Sequence, residues 1–174
     1  MRNLLTKSIL IGTLAISIAS AAIAPSIPSE MVGKWKWGTI NPTWFEDKYT
    51  GEYKGHGGGV SAYFEFDKAG KFKHHVYVEM NTNGLKNQTF TTMEGTLLVD
   101  GDTFKLKVDK GFYRSRSNMG AKNNFDRPMT DDERSKASKN PYKWKKSTDD
   151  RGREVLQIIN GLQGPWTTFQ KDKG

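Results

Sequence analysis

The chain has no cysteine among its 174 residues. A disulfide framework and a thiolate metal site are therefore both excluded, as is a lipid anchor on an N-terminal cysteine. Histidine occurs only three times, which leaves little material for a metal centre. Helical periodicity is almost absent, and so is any internal repeat. Only one long hydrophobic run exists, and it lies at the start. Arg2 and Lys7 are followed by an uncharged stretch from Ser8 to Ser29 rich in Ile, Leu, Ala and Ser. A basic start and an apolar middle describe a secretory signal, and Ala19-Ser20-Ala21 supplies the small residues that signal peptidase accepts. The later Ala22-Ile23-Ala24 would put Pro25 directly after the cut. Cleavage is expected after Ala21 or Ala22. This gives a signal peptide at 1–21, a short linker at 22–32 and one domain at 33–171, secreted or periplasmic. No stable membrane insertion is expected after cleavage.

What remains is basic and aromatic. Losing Arg2 and Lys7 lowers the net charge from +8 to +6. All nine Phe, six Tyr and five Trp lie beyond the signal, so a mean hydropathy of −0.70 does not mean disorder. About 150 residues suffice for one core.

Period-two alternation interrupted by Gly and Asp turns runs through the domain, which marks antiparallel hairpins. Val60, Ala62, Phe64 and Phe66 share one face. After a turn at Asp67-Lys68-Ala69-Gly70, Phe72, His74, Val76, Val78 and Met80 share the matching face of the next strand. Thr89 to Val99 and the alternation of Phe104, Leu106 and Val108 flank the turn Asp100-Gly101. Gly33 to Ile40, Tyr142 to Lys146, Glu154 to Ile159 and Trp166 to Lys171 read as further strands. Ser115 to Arg127 breaks the rhythm and reads as a lid, a binding loop or a mobile loop. Thr130, with Glu133 three residues on, predicts one short helix to about Lys136 or Ala137. The expected fold is all-β: a small antiparallel up-and-down β-barrel of about eight to ten strands with one short helix.

Gly33-Lys34-Trp35, at the first strand of this pattern, resembles the Gly-x-Trp start of lipocalin-like (calycin) barrels. Thr148-Asp149 keeps two residues of that family's Thr-Asp-aromatic turn. The resemblance implies that Trp35 closes one end of a barrel and that the mouth takes a ligand. Trp35 to Ile40 and Asn124 to Thr130 also resemble stretches of uncharacterised secreted bacterial proteins, a resemblance that adds no function.

His74 stands among apolar neighbours, where an imidazole is a bonded core residue, a ligand contact or a metal ligand. With His75 facing outward and only His56 remaining, no metal site is expected. Gly55-His56-Gly57-Gly58-Gly59 lacks the ending of a phosphate loop and reads as a flexible turn. Asp131-Asp132 and Asp149-Asp150 sit where a helix start and a turn favour Asp. No nucleophile arrangement appears, so the domain reads as non-enzymatic and without a cofactor. In Lys34-Trp35-Lys36-Trp37 and Tyr142-Lys143-Trp144-Lys145-Lys146, strand alternation buries Trp35, Trp37 and Trp144 and leaves the lysines in water, which argues against nucleic acid.

Two functions follow. The first is a small apolar or amphipathic ligand held in the barrel by His74, Phe64, Phe72, Val76 and Trp35. The alternative is a surface module for acidic polysaccharide or another protein, using Arg114, Arg116, Lys122 and Arg127.

Overall fold

The computed structural model describes residues 27–38 and 58–172. The expected signal peptide and its cleavage site, Thr39-Ile40 and the Gly55-His56-Gly57 part of the glycine cluster lie outside the described residues. Nine strands and one helix follow in order: β1 Gly33–Gly38, β2 Gly59–Phe66, β3 Lys71–Thr82, β4 Leu85–Asp100, β5 Thr103–Ser117, β6 Phe125–Pro128, α1 Asp131–Lys139, β7 Pro141–Thr148, β8 Glu154–Asn160 and β9 Thr167–Lys171. All the strands pair antiparallel in one sheet. Its order β4-β3-β2-β1-β9-β8-β7-β5 closes on itself through β4 and β5, with β6 added beside β5. The fold is all-β and barrel-like, as the alternation predicted.

Turn chemistry sets the hairpins. Gly70 at φ 76° closes β2 to β3, its N–H donating to Asp67 O at 3.1 Å, while Asp67 Oδ1 accepts from Lys71 N at 2.8 Å. Asn83 and Gly84, at φ 52° and 79°, link β3 to β4 in the backbone form that matches strand twist.

The ring closes around an aromatic centre. Trp35, Phe64, Phe66, Phe72, Phe104, Leu97, Leu106 and Leu156 are each at most 2 % exposed. Phe64 is the hub. It stacks on Phe66 at 5.4 Å between ring centroids and meets Phe169 at 5.3 Å, Tyr142 at 6.1 Å and Phe104 at 6.3 Å. Such pairs contribute about 0.5–1.5 kcal/mol each beyond area burial. Ile27 and Met31, in the stretch read as linker, also pack into this core.

The long strand β5 meets three successive partners along one edge. Thr103–Lys105 pairs with β7 and Phe112–Ser115 with β6. Between them the edge is satisfied by the helical segment: Val108 N donates to Ser138 Oγ at 3.0 Å, and Gly111 O accepts from Met129 N at 2.8 Å. A bulge at Asp109 shifts the β4–β5 register between Glu94 and Gly95. Helix α1 begins with the expected capping box. Thr130 Oγ1 accepts from Glu133 N at 3.3 Å, and Glu133 Oε2 accepts from Thr130 N at 2.8 Å.

Three details differ from the sequence reading. Both ends of Ser115 to Arg127 are paired: β5 runs on to Ser117 and the chain returns as β6 from Phe125, with residues 118–124, including a 3-10 turn at Ala121–Asn123, between them. Asparagine side chains replace the ladder there, with Asn124 Oδ1 on Ser117 N at 2.6 Å and Asn118 Oδ1 on Lys86 N at 2.7 Å. Burial on β3 also switches face toward its C-terminal end, where it is still paired with the start of β2. Val78 is half-buried and Met80 is 59 % exposed, whereas Tyr77 and Glu79 on the other face are buried. Trp37, expected inside, is 40 % exposed at the same level, and Trp144 is half-buried with its Nε1 on Gly101 O at 3.1 Å.

Candidate functional site

Cross-strand register sorts the inward side chains into levels, and their sizes change abruptly from one level to the next. One rung joins Trp35, Phe64, His74 and Met93, all buried. The rung above joins Trp37, Ala62, Val76, Thr91 and Tyr113. Above that come Val60, Val78, Thr89, Ser115 and Phe125. Aromatic filling gives way to β-branched and hydroxyl side chains, most of them half-buried. Trp37, Met80 and Phe125, all inward by register, stay exposed at 40 %, 59 % and 39 %. Among the described residues, the barrel is thus solid below and open at the end where β3 to β6 extend.

The sequence-predicted ligand residues divide across this boundary. Trp35 is fully buried, donates from Nε1 to Met31 O at 2.7 Å, and with Phe64 and Phe72 belongs to the filled part. Val76 lines the open end. His74 sits between, its ring stacked on Phe64 at 3.9 Å and 8°. Its Nδ1 is enclosed and has no hydrogen-bond partner. Burial, with a smaller contribution from the neighbouring His75, pushes its pKa down to about 3, so the imidazole is neutral at ordinary pH. His75 faces outward, as expected, and stacks on Tyr63 at 4.2 Å. Among the described residues no group of three candidate ligands converges on a metal position.

The four predicted anion-binding residues do not share one surface. Arg114 and Arg116 point to the outer face, where both meet Asp126, at 3.4 and 2.7 Å. Arg127 points inward, donates from both terminal nitrogens to Glu133 at 2.8 Å, and lies over the rings of Tyr113 at 5.0 Å and Phe125 at 5.7 Å. Lys122 stands exposed in the 3-10 turn. The arginine pairing holds Asp126 below the usual carboxylate range and Glu133 down to about 2. Lys34, Glu65, Lys73, Glu94 and Lys110 form one outer rung of alternating sign, beside an open groove of about 310 Å³. Its three lysines alternate with two glutamates, so the ladder carries a single excess positive charge.

Sequence reasoning missed Trp37, Thr89, Thr91, Tyr113 and Phe125 as lining. Thr89 and Thr91 carried a signal, since they alternate with Phe90, but which face was inward depended on pairing with β3. No family model, curated protein or solved structure matches the chain.

Proposed function

We propose that this is an exported, non-enzymatic binding protein of lipocalin-like build, holding a small apolar or amphipathic ligand at the open end of its barrel. The observation that carries the reading is the step in side-chain size directly above His74. Below it the interior is packed by aromatic rings. Above it Val60, Ala62, Val76 and Val78 leave a wall of low relief between Trp37 and Tyr113. A concave, mostly apolar surface with a few polar groups is the usual composition of a small-molecule seat. Seating about eight methylenes against it would contribute roughly 6 kcal/mol before ordering costs. The acidic-polysaccharide alternative draws less support, because Arg114, Arg116 and Arg127 already hold carboxylates.

The test is titration of the mature protein with an environment-sensitive apolar dye. Saturable binding is expected, lost in Val76→Trp and weakened in Val78→Phe, with thermal unfolding followed in parallel. A native protein that binds no dye would refute the reading.

A further inference from the structure

We infer that the polar end of the ligand is uncharged and carries hydroxyl or amide groups; this rests on the proposed seat at the open end. The inner face there is divided lengthwise. Strand β3 contributes Val76, Val78 and Met80, while β4 and β5 set Thr91, Thr89 and Ser115 beside them in register. One rung further out, Asn87 lies opposite Met80, and its Oδ1 is left without a donor. From Thr91 to Asn87 the hydroxyl strip runs roughly 13 Å along β4.

A charged headgroup would find no counter-ion on this strip. Among the described residues on the inner face of β2 to β6, Arg127 is the one cation, and it is held from two sides. Glu133 takes both terminal nitrogens at 2.8 Å, and that carboxylate is itself fixed by Thr130 N at 2.8 Å in the helix cap. The guanidinium is further pinned over Tyr113 and Phe125. His74, beneath the seat, is neutral above about pH 3. An anion would have to break the Arg127–Glu133 pair or sit unpaired against apolar surface, and both are unfavourable. No carboxylate other than the one already paired faces the seat from these strands, so a cation fares no better. Hydroxyls and amides meet Thr89, Thr91 and Ser115 as both donors and acceptors, and they can supply the donor that Asn87 Oδ1 lacks.

The experiment compares three amphipaths of one chain length on the mature protein at pH 8 by dye displacement below their micelle concentrations. They are monododecanoylglycerol, dodecanoate and dodecyltrimethylammonium. The glycerol ester is expected to bind at least tenfold tighter than either ion. The Thr89→Val/Thr91→Val double variant, checked for unchanged folding by circular dichroism, should lose about tenfold for the ester and little for the ions. Either ion binding as tightly as the ester, or a double variant with undiminished ester affinity, overturns the headgroup assignment while the apolar seat stands. Failure of all three to displace the dye overturns the seat itself.

Discussion

His74 makes the stability of the barrel depend on pH in a way that can be worked out in advance. Its folded pKa of about 3 lies below the 6.5 of the exposed side chain. As pH falls, the unfolded chain therefore takes up a proton that the folded chain refuses. The stabilisation is complete above about pH 6.5 and is lost progressively toward pH 3. The slope grows from about 0.7 kcal/mol per pH unit at pH 6.5 toward about 1.4 at lower pH, so lowering the pH from 6.5 to 5 should remove about 1.6 kcal/mol. The window stops at pH 5 because the carboxylates held low, Asp126, Glu133, Asp149 and Glu154, give up their contribution only at lower pH. His75 is also depressed by burial and acts in the same direction, so the measurement is made in a His75→Gln background. Urea denaturation at pH 7, 6.5, 6, 5.5 and 5 supplies the curve, with His74→Phe as the comparison because Phe keeps the ring stacked on Phe64. The variant should be nearly flat across the window. Parallel slopes for the two proteins would show that His74 is not held neutral in the core, and the argument would fail.

Two further outcomes are expected. At Gly111 a Cβ would fall 2.1 Å from Met129 Sδ and 2.7 Å from its Cγ, with Met129 only 3 % exposed. Gly111→Ala should therefore destabilise by about 1–3 kcal/mol in thermal unfolding, and adding Met129→Val should recover part of the loss. Export-dependent expression should give a mature N-terminus at Ala22 or Ile23 by intact mass, and a product that keeps Met1 would exclude processing.

Hairpin order and the helix cap were legible because both are local. Asp67 to Gly70, Asp100-Gly101 and the Thr130/Glu133 pair each carry their own turn or cap chemistry within four residues. The extension of β5 beyond Asp109 was not legible, since the bulge lets one strand continue through residues that look like loop. Asn118 and Asn124 read as irregular chain, yet their side chains take the place of ladder bonds. Arg114, Arg116 and Arg127 read as unengaged charge because their acids, Asp126 and Glu133, are brought to them only by the fold of β6 and α1. At the site, alternation placed His74 and Val76 together. It could not show that the inward side chains above them turn from buried to half-buried or exposed, because that depends on which distant strands pair alongside them. Trp37 was misplaced for the same reason.

The joint between β1 and β9 also governs how the barrel assembles. Lys36, paired with Gln170, reaches Asp172 at 3.0 Å, a contact spanning 136 positions. The hairpins β2–β3 and β4–β5 form from neighbours, but this joint must wait for a very large loop to close. Chains dominated by such distant pairings fold in milliseconds to seconds. During that interval the curved sheet presents two unpaired margins, each able to recruit a strand from another molecule. Lys34 and Lys36 on one margin and Asp172 on the other are complementary, so closure within one chain and annealing to a second draw on the same charges, and the effective concentration of the chain's own margin favours closure.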